Sequence, residues 1–315
     1  MLLITSHRNP KYMTISIDRL HPLFAARVNG VDLFRPIDPV DFEAILAAVN
    51  THGVLVFQGP KLTPEKQVAF AAGFGTLEPQ NGVLSTGREA RVTPKLVDIS
   101  NLDENNAVLN QADRRRMFAL GNQLWHTDSS FKQTPASYSL LHAHSVTPEG
   151  GETQFVDMRA AWDTLPPKLQ AKVEKLWAEH SIFCSRAKLG FTDFTDAERA
   201  ATPPVHRPVV QVHPGSGRKT LYLASHASHI VGWNVPDGRM LIHELIEHAT
   251  QPQFVYTHRW VEGDLVIWDN RCTMHRGRPY DEANHRRDLR RATIQAPAAL
   301  KHAPGTSDTA PATAA

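Results

Sequence analysis

Apolar positions along the chain follow two spacings in turn. After Asp41, the residues Phe42, Ile45, Leu46 and Val49 recur at the three-and-four spacing of an amphipathic helix, and Gly53 stands where a left-handed residue would close it. Thr63 followed by Pro64 has the form of an N-cap and first helical position, which predicts a second helix ending near Gly75. Between the two, Val54–Phe57 is a short, wholly apolar strand closed by Gln58, Gly59 and Pro60. A third helical region follows the Met158–Trp162 segment, Pro166-Pro167 starts a helix toward Trp177, and another lies around Arg239 to Thr250. Elsewhere the pattern is of short strands: Leu96–Ser100, Tyr138–Val146, Thr153–Val156, Val209–His213, Leu221–Ala224, Phe254–Trp260, Asp264–Trp268 and Leu289–Gln295. Pro214-Gly215-Ser216-Gly217 reads as a hairpin turn between two of them. Many short strands with helical insertions predict a sandwich or jelly roll, mainly β with α, rather than a doubly wound sheet. No glycine-rich phosphate loop of either common form follows a strand.

Composition narrows the class without naming it. The 315 residues, 41% hydrophobic and 21% charged, are ordinary for a globular chain with a sizeable core. No apolar run approaches the roughly 18 residues of a membrane helix, and the N-terminus lacks the basic start of a secretory signal, so a cytoplasmic protein with no membrane partner is expected. Met13 is an alternative start, which leaves residues 1–13 as a loose extension. The chain from 14 to 296 reads as one domain, and the Ala- and Pro-rich stretch 297–315 as a disordered tail. Two cysteines, Cys184 and Cys272, cannot build a disulfide framework and read as small buried hydrophobes. A net charge of +2 gives no reason to expect a nucleic-acid partner. The cluster Arg114-Arg115-Arg116 reads as a solvated loop face.

Candidate chemistry comes from position rather than from the 17 histidines as such. Trp125-His126-Thr127-Asp128 holds the sequence's one His-x-Asp, and in an extended segment both side chains share a face. His275 follows a buried-looking strand. Two histidines and one carboxylate on one face of a metal leave three open positions, the facial triad of non-haem iron(II) oxygenases. Arg287 and Arg291 then share a face with Leu289 and Thr293. Two guanidiniums there need anionic partners. A dicarboxylate cosubstrate supplies one, and Arg291 is left for a substrate carboxylate. Two other classes compete. A zinc hydrolase could be read into His243-Glu244-Leu245-Ile246-Glu247-His248, but those imidazoles lie about 140° apart on a helix and cannot share a metal. A non-catalytic jelly-roll binder has no need of open metal positions.

The chain resembles the taurine / 2,4-dichlorophenoxyacetate dioxygenase family (TauD/TfdA), and its herbicide-degrading branch most closely. The matching stretches are 20–25 (Leu-His-Pro-Leu-Phe-Ala), 122–131 around the His-x-Asp, 157–161, 214–219, 226–229 (His-Ala-Ser-His) and 263–278. The resemblance runs from about Leu20 to Ile294 and implies a double-stranded β-helix with surrounding helices, Fe(II), α-ketoglutarate as cosubstrate, and O2. It implies His126, Asp128 and His275 as the iron ligands. Thr153 and Arg287 would hold the cosubstrate, with Arg291 and Asn122 on the substrate side. His213 and His229 are further candidates for substrate contact, with His226 beside them; framework histidines are the alternative. The implied reaction hydroxylates the carbon next to an ether oxygen of an aryloxyalkanoate, giving phenol, glyoxylate, succinate and CO2. Sulfonates or alkyl sulfates are the alternative substrates, and a homo-oligomer is implied. Two departures stand out. The stretch from Gly75 to Leu84 lacks the lysine that relatives place beside the substrate. The His275-to-Arg287 interval is one residue longer, so the turn around Asn284 is expected to differ.

Overall fold

The computed structural model describes residues 15–59, 61–79 and 90–297. The expected N-terminal extension, nearly all of the expected tail, and the end of the lysine-lacking stretch lie outside the described residues. The strands fall, in chain order, as β1 (Ser16–Arg19), β2 (Ala26–Asn29), β3 (Val54–Phe57), β4 (Val97–Ser100) and β5 (Ala136–Ser145). There follow β6 (Thr153–Asp157), β7 (Trp177–His180), β8 (Val205–Pro208), β9 (Val210–Val212) and β10 (Lys219–Leu221). The last are β11 (Ala227–Ile230), β12 (Val255–His258), β13 (Leu265–Asp269), β14 (Thr273–Gly277) and β15 (Asp288–Gln295). The helices are α1 (Pro39–His52), α2 (Pro64–Ala72), α3 (Arg114–Ala119) and α4 (Met158–Asp163), then α5 (Pro167–Val173), α6 (Ile182–Ala187), α7 (Asp196–Ala201) and α8 (Val235–Ala249).

A seven-stranded sheet in the order β1-β2-β3-β13-β5-β15-β4 faces a three-stranded sheet, β12-β6-β14. Smaller sheets, β11-β7-β8 and the hairpin β9-β10, complete a jelly roll with helices outside, the fold class expected. Strand alternation decides what faces what. On the large sheet Tyr138, Leu140, Leu265, Ile267, Ala292 and Ile294 pack outward against α1 and α2. Their neighbours Leu141, Ala143, Val266, Trp268 and Leu289 point inward onto Phe155 of the small sheet. The small sheet's other face, through Val156 and Met274, packs with α4 and α8.

The early helices start and stop where their cap residues dictate. Asp38 accepts from Val40 N at the start of α1, and Gly53 closes it at φ 69°. A Cβ at Gly53 would come within 3.2 Å of both Arg159 Nη2 and Thr273 Cγ2, so conformation and space both require glycine. Thr63 caps α2, whose Gln67 reaches into the large sheet to Arg290 O at 2.7 Å. The turn 214–217 joins β9 to β10, with Lys219 opposite Val212.

Three expectations are corrected. The segment 114–116 is not a solvated loop: it begins α3, capped by Asp113. Its guanidiniums are paired, Arg114 with Glu198 at 2.9 Å, Arg115 with Asp113 at 3.0 Å, and Arg116 with Glu282 at 2.9 Å. The helix from Pro167 ends at Val173, and Trp177 opens a strand instead. Cys272 is buried, whereas Cys184 is only half-buried.

Candidate metal centre and its cavities

The inward positions of the two facing sheets carry the centre. On β14, Met274 faces the outer core, so His275 faces inward. His126 lies outside any strand but is fixed to β14 by a reciprocal backbone pair, His126 N to His275 O at 2.9 Å and His275 N to His126 O at 2.8 Å. The two imidazoles thereby stand 4.2 Å apart between centroids. The chain then turns sharply at Ser129, which has φ 53°, and Asp128 swings in to meet them. Its carboxylate oxygens lie 3.8 Å from His126 Nε2 and 3.6 Å from His275 Nε2. One ligand atom from each of the three residues lies within 4.8 Å of the others, and all three side chains are buried.

The protonation states suit a cation. His126 Nδ1 is 2.8 Å from Leu124 O, a pure acceptor, so that nitrogen carries the proton and Nε2 keeps its lone pair. Burial pushes both imidazoles down from their ordinary values, His275 well down. Burial would raise the Asp128 carboxyl, but the Arg291 guanidinium, helped by the hydrogen bond from Ser139, outweighs it and brings it down to about 2. Asp128 is further held by Ser139 Oγ at 2.7 Å, and Asn270 Nδ2 donates to that same oxygen at 2.9 Å. Asn270 Oδ1 in turn accepts from Asp128 N at 3.2 Å and Trp268 Nε1 at 3.0 Å. Two neutral imidazoles and one ionised carboxylate are the donor set that suits iron(II) with open positions.

Two cavities meet at this centre. One is lined by His126, His275, Thr153, Asn122, Arg287 and Arg291. At its far end Arg287 donates to Gly151 O at 3.1 Å, lies 5.6 Å from the Tyr280 ring centroid, and makes no salt bridge among the described residues. Gly151 has φ +71°, and a Cβ there would come within 3.2 Å of Arg287 Nε. Thr153 Oγ1 accepts from Trp260 Nε1 at 3.0 Å. The second cavity is lined by His126, Asp128, Asn122, Phe131, Arg186, His226 and Arg291 among others. Arg291 belongs to both cavities; Nη1 donates to Asp128 Oδ1, and Nε is buried without a partner.

Of the residues expected from sequence, His126, Asp128, His275, Thr153, Arg287, Arg291 and Asn122 are brought together. His213 and His229 are not. His213 is fully buried, with Nε2 on Asp269 at 2.9 Å and Nδ1 on Ser216 Oγ at 2.8 Å, so both nitrogens serve the framework. His229 bonds to Ser228 Oγ at 2.8 Å and lines neither cavity. The histidine that reaches the second cavity is His226, whose ring lies 6.0 Å from that of His126. Sequence reasoning missed Ser139, Asn270 and Arg186; single polar residues amid apolar ones carried no signal of their own. His243 and His248 do not converge, since His243 pairs with Glu247 at 3.5 Å and His248 Nε2 bonds Ala161 O at 2.9 Å. The turn near Asn284 is fastened by Asn101 Nδ2, which donates to Glu282 O and His285 O, each at 2.9 Å.

A jelly roll with this donor set at its mouth belongs to the mononuclear, non-haem, α-ketoglutarate-dependent dioxygenases. Known proteins supply the family. The family described as "Taurine catabolism dioxygenase TauD, TfdA family" matches residues 16–293, and the chain belongs to it. The chain is 49% identical over 283 residues to the α-ketoglutarate-dependent 2,4-dichlorophenoxyacetate dioxygenase of Cupriavidus pinatubonensis, which spans 89% of this chain and 98% of that one. It is 36% identical over 275 residues to the (S)-phenoxypropionate/α-ketoglutarate dioxygenase of Sphingobium herbicidovorans, spanning 85% and 90%. The solved structure of AAD-2 in complex with Mn(II) and N-oxalylglycine matches with a TM-score of 0.87 and 46% identity, covering 90% of this chain and 98% of that one.

Proposed function

We propose that this enzyme oxidises an aryloxyalkanoate such as 2,4-dichlorophenoxyacetate at the carbon between the carboxylate and the ether oxygen. Insertion of one oxygen atom there gives a hemiacetal, whose collapse releases a phenol and glyoxylate. The other oxygen atom leaves in succinate as α-ketoglutarate loses CO2. The observation that carries this reading is the second cavity, where the cationic Arg291 stands beside the triad and the apolar Phe118, Phe131 and Ile182 line part of the wall. An acid head and an aromatic body ask for that pairing.

His126, Asp128 and His275 would hold the iron, which when bound supplies dioxygen activation coupled to decarboxylation of the cosubstrate. The remaining work is the protein's. Arg287 takes the distal carboxylate of α-ketoglutarate, for which its fork geometry is suited. Trp260 already donates to Thr153 Oγ1, so the threonine's own proton is free for a cosubstrate oxygen. Arg291, with Asn122 nearby, turns the substrate so that the carbon to be oxidised faces the metal.

A single domain over 14–296, a homo-oligomeric state, a cytoplasmic location and no nucleic-acid partner complete the reading. No helix among the described residues is long and apolar enough to cross a membrane. The test is succinate release against a panel of phenoxyacetates, taurine and alkyl sulfates. Faster turnover of a sulfonate or sulfate than of every phenoxyacetate would replace this substrate class with the other.

A further inference from the structure

Arg186, on α6, is 4% exposed, and its Nε is buried without a partner. Nη1 donates to Ser185 Oγ at 3.0 Å, and the guanidinium carbon lies 4.2 Å from the centroid of the Phe118 ring. No carboxylate among the described residues pairs with it. Arg91, Arg159 and Arg271 each meet an aspartate at 2.5–2.9 Å, and buried Arg207, which has no carboxylate either, spends its donors on the backbone carbonyls of Ser130 and Gln133. Burial with no opposing charge brings the Arg186 guanidinium down to about 10. A guanidinium has five N–H donors, and burying them with one neutral acceptor is costly.

The position of the side chain says what it is for. Arg186 lines the second cavity together with His126, Asp128, His226 and Arg291. A Cβ on Gly121 would lie 2.1 Å from Nη1, so the glycine is what leaves room for the guanidinium. Ser185 Oγ gives its single proton to Ile182 O at 2.8 Å, so it must accept from both Arg186 and His226 Nδ1, the latter at 2.9 Å. That chain of contacts fixes the guanidinium next to a ring 6.0 Å from a metal ligand. Arg291, by contrast, already has the Asp128 carboxylate. The uncompensated positive charge on the substrate side therefore belongs to Arg186.

We propose that Arg186 is a substrate-binding residue that takes the anionic group of the substrate in this cavity, in addition to Arg291. The proposal rests on the reading of the chain as an oxygenase of anionic substrates. It is tested with the Arg186→Met enzyme loaded anaerobically with Fe(II) and α-ketoglutarate, by following the visible charge-transfer band as phenoxyacetate or the uncharged phenoxyethanol is added. Loss of a charged hydrogen bond predicts a phenoxyacetate Kd raised about 10- to 100-fold. The phenoxyethanol Kd and the α-ketoglutarate Kd should stay within about twofold of wild type, and Arg186→Lys should recover part of the loss. A phenoxyacetate Kd unchanged in Arg186→Met, with wild type binding the acid normally, overturns the role of Arg186 and leaves the proposed function standing. Weakened α-ketoglutarate or phenoxyethanol binding overturns it too, because the residue would then be structural. Wild-type enzyme that binds no aryloxyalkanoate removes the functional reading and this proposal together.

Discussion

Replacing Ser139 by alanine tests whether the metal ligands are held by the framework behind them. Ser139 is fully buried, donates to Asp128 Oδ2 at 2.7 Å, and accepts from Asn270 Nδ2 at 2.9 Å. The substitution removes one hydrogen bond to a charged group, worth about 1.5–3 kcal/mol, and leaves the Asn270 amide proton without that acceptor in a dry site. The carboxylate is then free to turn toward Arg291. Since about 1.4 kcal/mol is a factor of ten, Fe(II) should bind roughly 10- to 100-fold more weakly, the range typical for partners that orient metal ligands. Anaerobic titration of the metal-free protein with Fe(II), with Mn(II) as an air-stable check, reads the Kd directly. A thermal melt of both metal-free proteins separates this from general destabilisation. A Kd within about twofold of wild type would refute the reasoning, for the carboxylate would then need no help from Ser139 to stay in place.

Arg287→Met should raise the α-ketoglutarate Kd about 10- to 100-fold with little loss of stability, since the buried guanidinium has no salt bridge to lose; the charge-transfer band measures it, and an unchanged Kd removes Arg287 from the cosubstrate site. His213→Ala should leave the substrate KM untouched but cost about 1–3 kcal/mol of stability by depriving Asp269 of a partner; a raised KM without destabilisation would return His213 to the substrate. Acid should weaken the fold through His142, whose pKa burial brings down to about 4. A folded-state value below the unfolded one means the contribution is complete above about pH 6.5 and fades as pH falls toward about 4. His142→Gln should flatten the slope of unfolding free energy across that window, and denaturant melts from pH 4 to 7 that show no flattening would count against it.

Local signals carried much of the early fold. Gly53, Thr63 and Pro64 mark helix ends because caps and φ-restricted residues act over a few positions, whereas the first helix starts ahead of Asp41, at the Asp38 cap. Strands such as Ala227–Ile230 and Val205–Pro208 escaped because their partner is a distant strand, and because apolar and polar residue types do not alternate along either; Val205–Pro208 alternates only in burial, with Arg207 inward. The candidate metal triad was legible because ligand chemistry admits few residue types at few spacings. The polar residues that steady it were not, since Ser139 and Asn270 gain their meaning from Trp268 and Asp128, which only the sheet register brings close. The same reason misplaced the histidines: His213 and His226 look alike in sequence, and only the fold gives one to Asp269 and the other to the cavity. The arginine run at 114–116 misled because its acidic partners at 198 and 282 are remote in the chain.

The paired backbone contacts between His126 and His275 have a consequence for how the enzyme is loaded. The main chain itself sets the separation of two donors, so this separation is held by backbone hydrogen bonds and does not depend on the ion. A chelator should accordingly strip the centre and leave a folded, refillable protein behind, unlike domains whose ion is what folds them.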